Sequence, residues 1–271
     1  MKYSTAFLFA VLFPLQMAAY QTESEPTNQE SNYFLYNERT ETFNKIPKSE
    51  NAVDSLLAVG FENLYKDSGL SFRSARQAQT IAEEITYESG LAGAYNLLGN
   101  NYLEFGDHEL ASRYYLKSYR LEEKLSNDRG IASTLNNLSL IYLEQENYDT
   151  AAEYLEQSIQ VWKSLNEDDN TILATNNLGV IHRRQGNYDL ALDYFWETAK
   201  RSILQEEPDS LHFIISTLNI GNTYRNMGDF TRAKIHLNSA LDYLERHNLS
   251  SQMIFTYIVM GNLYNDRKKK K

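Results

Sequence analysis

The chain has 271 residues, with 26 Lys and Arg against 36 Asp and Glu, and its formal net charge is −10. This composition is typical of a globular protein, and the acidic balance argues against nucleic acid as a partner. The chain contains no cysteine, which excludes thiol catalysis, cysteine-ligated zinc and iron–sulfur clusters.

Residues 1–19 predict a secretory signal peptide. Lys2 precedes an apolar run from Ala6 to Leu15, and the small residues Ala18 and Ala19 follow it. Because this run is about half of the ~20 residues that cross a bilayer, cleavage near Ala19 is favoured over a membrane anchor. We therefore expect an exported chain, periplasmic or secreted, without a stable membrane span after signal removal.

Residues 20–50 are polar, contain Pro26 and Pro47, and show no sustained hydrophobic period. This pattern predicts a flexible tether. Residues 51–90 then carry weak helical patterns, with a first helix expected around Val53 to Lys66. They are predicted to form a divergent N-terminal helical repeat.

A segment of the form L/I/M-G-x-x-aromatic or His recurs at intervals of 40, 40, 42 and 40 residues. Its glycine column contains Gly99, Ser139 in place of glycine, Gly179, Gly221 and Gly261. An alanine column follows twelve residues later, at Ala111, Ala151, Ala191 and Ala233, after turns at Gly106, Glu146, Gly186 and Gly228. The offsets predict two helices per repeat, whose small residues allow the two backbones to approach closely.

The L-G-x-x-Y, G-x-aromatic and following alanine signatures resemble the tetratricopeptide repeat over about residues 92–267. The resemblance implies an all-α, right-handed superhelical solenoid of antiparallel helix pairs, here with a period longer than the usual ~34 residues. Repeats are expected at 91–130, 131–170, 171–212 and 213–252. An incomplete fifth repeat with a basic tail is expected at 253–271, with its first helix ending at Tyr264.

Catalytic motifs are absent from the sequence, and the five histidines are isolated. His182 occupies a column that otherwise holds tyrosine, which favours a packing role over metal ligation. The sequence predicts no catalytic residue, no metal site and no cofactor.

Asparagines recur on the first helices, which in the resembling family line the concave face. An amide carries both a donor and an acceptor, and this matches the backbone of an extended peptide. A structural ladder between neighbouring repeats is the alternative. The predicted peptide-binding asparagines are Asn96, Asn100, Asn136, Asn137, Asn176, Asn177, Asn219 and Asn222.

Arg183, Arg184 and Arg225 follow the repeat glycines by four or five residues, at the edge of the same face. This cation cluster is predicted either to hold a carboxylate or phosphate of a ligand, or to pair with neighbouring carboxylates of the chain.

These observations predict a non-catalytic, exported scaffold that binds a protein or peptide through its concave face. One alternative is the extracytoplasmic sensor region of a longer signalling protein, of the histidine kinase or cyclase type. Another is self-association through the incomplete C-terminal repeat.

Overall fold

The computed structural model describes residues 46–204, 210–246 and 250–269, so the predicted signal peptide and most of the predicted tether lie outside it. The described residues form eleven α-helices and contain no strand, which confirms the all-α class. In chain order these are α1 (Glu50–Asn63), α2 (Ser68–Ile85), α3 (Glu88–Glu104), α4 (His108–Lys124), α5 (Asp128–Glu144), α6 (Tyr148–Ser164), α7 (Asp168–Arg184), α8 (Tyr188–Leu204), α9 (Ser210–Met227), α10 (Phe230–Arg246) and α11 (Ser250–Lys269).

The helices belong to two compact units, one ending at Ser126 and the other beginning at Asn127. The first unit contains α1 to α4 and the second contains α5 to α11. Within each unit consecutive helices pack as hairpins, and the first helices of neighbouring hairpins also touch, as α1 does with α3 and α9 with α11. A buried apolar cluster that includes Leu155, Phe195 and Leu237 runs through the second unit, so neighbouring hairpins share one interior.

The 40-residue period comes from helices of uniform length. The six helices α3 to α8 each have 17 residues and begin at residues 88, 108, 128, 148, 168 and 188. Three residues therefore connect each helix to the next. The longer 42-residue interval arises after α8, because α9 begins at Ser210, 22 residues after the start of α8.

The turn within each repeat has the predicted chemistry. Gly106, Gly186 and Gly228 have φ values of 77°, 84° and 83°, a region that glycine enters without steric cost. The Asp107 backbone N–H donates to the Tyr102 carbonyl at 2.8 Å, and the Asp107 side chain accepts from the Leu110 N–H at 2.9 Å. The glycine thus ends one helix and the aspartate caps the next.

A second set of left-handed residues ends the second helices. Thr86, Ser126 and Asn166 have φ values of 59°, 53° and 56°, and they are spaced 40 residues apart. Sequence reasoning missed this column because three different residue types occupy it.

The repeat glycines lie directly against side chains of the second helix. A Cβ atom on Gly99 would lie 2.5 Å from the Tyr115 ring, and one on Gly179 would lie 2.7 Å from the Phe195 ring. Such distances are too short for a methyl group, so only glycine permits this close approach. The predicted small residues Ala111, Ser139, Ala151, Ala191 and Ala233 are all fully buried.

The last repeat differs from its prediction in the length of its helix, and from the other repeats in the surroundings of its glycine. Helix α11 continues to Lys269, so the prediction that it ends at Tyr264 is wrong. The residues after Tyr264 include Asp, Arg and Lys but no glycine or proline, and nothing in them stops a helix. Gly261, unlike the other repeat glycines, has no atom within 4 Å of its Cβ position.

Among the described helices, none combines the length and the apolar character that crossing a bilayer requires.

Candidate functional site

The asparagines of the second unit bond to one another across repeats. The Asn177 side-chain amide donates to Asn136 Oδ1 at 3.1 Å, linking α7 to α5. The Asn219 amide donates in the same way to Asn176 Oδ1 at 3.2 Å, linking α9 to α7. These two bonds have the geometry of a structural ladder between repeats, which is one of the two roles that the sequence allows for the asparagines.

All four ladder asparagines are buried, and two of their polar atoms stay unused. Asn176 Nδ2 and Asn177 Oδ1 have no hydrogen-bond partner among the described residues. Buried amides without a partner are costly in a folded chain. The ladder therefore leaves one buried donor and one buried acceptor, both on α7, without a partner among the described residues.

The remaining predicted asparagines differ in their surroundings. Asn137 is buried, and its Oδ1 lies 3.5 Å from the Asn136 side-chain amide, at the outer limit of a hydrogen bond. Asn222 on α9 is partly exposed. In the first unit, Asn100 Oδ1 accepts from the Tyr115 hydroxyl at 2.7 Å, and its amide donates to Asn96 Oδ1 at 3.4 Å.

One buried asparagine was missed by the repeat analysis. Asn101 on α3 is fully buried, and its amide donates to Ser71 Oγ at 3.0 Å and to the Leu97 carbonyl at 2.8 Å. It holds α3 against α2. The position carries no asparagine in the other repeats, so periodicity gave no signal for it.

The three predicted arginines lie near one another at the ends of α7 and α9. Arg184 forms an ion pair with Glu144 at 3.6 Å, and Arg225 forms one with Asp266 at 3.7 Å. Arg183 has no carboxylate within 4 Å among the described residues, and its Nε is buried without a hydrogen-bond partner. Two of the three cations are thus already neutralised by this chain, and the third is not.

The surroundings of Arg183 are unfavourable for a positive charge. Burial lowers its pKa to about 10, and the nearby charges of Arg184 and Arg225 act in the same direction. The guanidinium nevertheless remains protonated at neutral pH. A bound anion would offset both the desolvation and the repulsion at Arg183.

His182 packs against an aromatic side chain. Its ring stacks on Tyr194 with centroids 5.4 Å apart, and its Nδ1 lies 3.1 Å from Gln185 Oε1. Equivalent ring pairs occur in every complete repeat, namely Tyr102 with Tyr114, Tyr142 with Tyr154, and Tyr224 with His236. The packing role expected for His182 is confirmed.

The described residues contain an open hollow but no cluster of metal-ligating side chains. No group of three or more His, Asp or Glu side chains that suits a metal ion occurs within residues 46–204, 210–246 and 250–269. An open hollow of about 790 Å³ lies on the turn between α9 and α10, where Met227, Phe230 and Ile235 line it. None of the predicted asparagines or arginines contributes to that hollow.

Sequence comparison identifies the repeats. One tetratricopeptide repeat profile matches residues 130–202 and 170–246, and a second matches residues 92–125. Together they cover more than half of the 271 residues. No curated protein matches the chain in sequence.

Solved structures of similar fold include BtubC (BKLC) from P. vanneervenii, which is 20% identical with a TM-score of 0.61, over 81% of this chain and 87% of BtubC. The Rap conjugation gene regulator of plasmid pLS20, solved in complex with a Phr peptide, is 15% identical with a TM-score of 0.59, over 86% and 68% of the two chains. Aspartyl phosphate phosphatase F from Bacillus subtilis is 18% identical with a TM-score of 0.56, over 80% and 60%.

At these identities the structural likeness establishes the fold alone, whereas the sequence profiles establish the family. The glycine, aromatic and alanine columns, the hairpin packing and the profile matches agree. The chain is a member of the tetratricopeptide repeat family.

Proposed function

We propose that this chain is a non-catalytic scaffold that binds an acidic protein or peptide segment along the first helices of its second unit. The observation that carries the proposal is Arg183, a partly buried cation beside two others, with no carboxylate partner among the described residues. A ligand carboxylate at Arg183 would gain a charge-assisted hydrogen bond in a partly desolvated place.

The ladder asparagines support an extended ligand next to this anion position. Two hydrogen bonds, from Asn177 to Asn136 and from Asn219 to Asn176, hold α5, α7 and α9 in a fixed spacing. This fixed spacing reduces the entropy cost of ordering the binding surface. The unused Asn176 donor and Asn177 acceptor lie on α7, the helix that carries Arg183.

Peptide recognition is also the activity that a structural neighbour displays. The pLS20 Rap regulator was solved with a peptide bound, and its fold resembles this chain. This likeness supports a peptide as the class of ligand and gives no information about its sequence.

Peptide selection tests the proposal. A phage-displayed library of unstructured peptides is selected on the chain, and the enriched peptides are measured by fluorescence anisotropy. We expect acidic peptides to be enriched, and we expect Arg183→Gln to weaken their binding about tenfold or more. Arg129→Gln is the matched control, since Arg129 is an exposed arginine that pairs with Glu167.

Enrichment of basic or purely apolar peptides would contradict the proposed ligand class. Equal weakening by Arg129→Gln and Arg183→Gln would also contradict it, because a general loss of positive charge would then explain the effect.

We further propose that the chain is exported after removal of residues 1–19. Lys2, the short apolar run and the small residues at 18 and 19 support this. N-terminal sequencing of the protein from its native cells is expected to begin at Tyr20. A mature N-terminus at Met1 in a cytosolic fraction would contradict export.

A further inference from the structure

Two acidic side chains flank the arginine cluster of the second unit. Glu144 Oε1, at the end of α5, lies 3.6 Å from Arg184 Nη2. Asp266 Oδ2, on α11, lies 3.7 Å from Arg225 Nε. Helix α5 precedes the two helices that carry the arginines, α7 and α9, and α11 follows them. One carboxylate therefore stands on each side of the cluster along the array.

These two ion pairs offset charge without forming hydrogen bonds at the distances given. Both separations exceed the ~3.2 Å that an N–H···O bond spans. The Arg225 Nε is buried and has no hydrogen-bond partner among the described residues, and the same is true of the Arg183 Nε. The cluster thus keeps two buried N–H donors unbonded while part of its charge is neutralised.

The position of these two donors is a sheltered one in every repeat. Arg183 and Arg225 occupy equivalent places on α7 and α9, four residues after the repeat glycine. Leu103 and Leu143 hold this place in the two preceding repeats, where they are 1% and 5% exposed. Charges in such a place interact more strongly than charges in water, so the balance between them matters more.

That balance leaves a single positive charge. The cluster contains three guanidinium groups and two carboxylates, and Arg183 is the cation without a carboxylate within 4 Å among the described residues. A singly charged ligand group at Arg183 brings the total to zero. A doubly charged group leaves an uncompensated negative charge in a partly desolvated place, where Glu144 and Asp266 repel it.

We infer that Glu144 and Asp266 determine the specificity of the Arg183 position, which selects a singly charged carboxylate of a peptide over a doubly charged phosphoryl group. This selection rests on the proposed function, because it requires an acidic peptide to bind at Arg183. It adds the charge of the ligand group and the two residues that set it.

Three matched peptides test the inference. The parent is an acidic peptide obtained by selection, and its contact residue is the glutamate whose change to glutamine costs affinity on the unmodified chain but not on Arg183→Gln. That place then carries glutamate, phosphoserine or O-sulfoserine. O-Sulfoserine has the tetrahedral shape of phosphoserine but only one negative charge, and phosphoserine carries nearly two at about pH 7.5.

Fluorescence anisotropy at fixed ionic strength gives the three affinities. We expect the phosphoserine peptide to bind the unmodified chain about fivefold more weakly than the glutamate peptide, and we expect O-sulfoserine to stay within about threefold of glutamate. The double variant Glu144→Gln, Asp266→Asn should bind phosphoserine about tenfold or more tightly than the unmodified chain does, and should prefer it over glutamate.

Asp168→Asn is the matched control, because it removes one acid from the same helix. Asp168 pairs with Arg201 at 2.8 Å and lies at the start of α7, ~22 Å along the helix axis from Arg183. This separation exceeds the Debye length of ~8 Å, so the preference should not change. The Asp266 side chain is 45% exposed, so Asp266→Asn alone tests the inference if the double variant fails to fold by circular dichroism.

Three results would overturn the inference and leave the proposed function standing. The phosphoserine peptide could bind the unmodified chain as tightly as the glutamate peptide. O-Sulfoserine could be rejected as strongly as phosphoserine, which would assign the selection to shape. Asp168→Asn could shift the preference as much as Asp266→Asn does. A lack of Arg183-dependent binding by every acidic peptide would instead overturn the proposed function and the inference together.

Discussion

The side-chain amide of Asn177 donates to the side-chain oxygen of Asn136, 41 residues earlier in the chain, at 3.1 Å. Both residues are buried, and the bond joins the first helices of two successive repeats. Side-chain bonds between repeats of this kind add polar specificity to an interface that is otherwise apolar.

Replacing Asn177 with Ala should lower the free energy of unfolding by about 1–3 kcal/mol, because Asn136 Oδ1 then loses its cross-repeat partner in a buried place. Urea unfolding measures the change. A double-mutant cycle with Asn136→Ala should give a coupling energy of about 0.5 kcal/mol or more. The partly exposed Asn222, replaced with Ala, is the control; an equal loss there would show that the ladder bond has no special weight.

The glycine column gives a pair of opposite predictions. Gly179→Ala should destabilise the chain by about 1–3 kcal/mol, since the new methyl group would lie 2.7 Å from the Phe195 ring. Gly261→Ala should stabilise it by about 0.5–1 kcal/mol, because alanine favours the helix and meets no neighbour. Thermal unfolding of the two variants checks both signs, and destabilisation by Gly261→Ala would contradict the open surface at α11.

Glu146 is a non-glycine residue in a turn whose equivalents are glycine. Its φ is 58°, a left-handed conformation that costs energy for a residue with a Cβ atom but not for glycine. Glu146→Gly should therefore stabilise the chain by about 1 kcal/mol. The neighbouring Gln145 has a φ of −80°, and Gln145→Gly should instead destabilise the chain. Urea unfolding is the measurement. If both variants shift the midpoint in the same direction, the conformation assigned to this turn is wrong.

Glu104, at the end of α3, makes stability depend on pH. Burial raises its pKa from 4.5 to about 7. The folded chain therefore binds the proton of the Glu104 carboxyl more tightly than the unfolded chain does. This proton binding contributes to the free energy of unfolding fully below pH 4.5, and the contribution is lost as the pH rises through 7. The side chain is partly exposed and solvent screens it, so we expect a change of about 1 kcal/mol.

Urea midpoints between pH 4.5 and pH 8 test this expectation. Glu104→Gln should abolish that part of the pH dependence. An unchanged pH profile in the variant would mean that another group titrates.

Much of the fold was predictable because backbone geometry dictates it. Positive φ at Gly106 favours glycine, and close packing at Gly99 requires a small residue, so both positions recur visibly in the sequence. The left-handed Thr86, Ser126 and Asn166 tolerate several residue types, so their column was invisible. Helix α11 is longer than predicted, because the charged residues of the basic tail are compatible with a helix.

The candidate site was less predictable. An asparagine on a first helix has a donor and an acceptor whether it bonds to a neighbour or to a ligand, and sequence gives no distances between helices. The pairing of Asn219 with Asn176 therefore emerged only from the structure. The same holds for the arginines: all three carry the same charge, and only the positions of Glu144 and Asp266 set Arg183 apart.

The most direct test of the central claim is an NMR titration of the isotopically labelled chain with an acidic peptide obtained by selection. We expect the largest backbone amide shifts on α7 and α9, around Arg183 and Arg225, and we expect them to disappear in Arg183→Gln. Shifts confined to the second helices, or shifts that persist unchanged in Arg183→Gln, would contradict the proposed ligand-binding face.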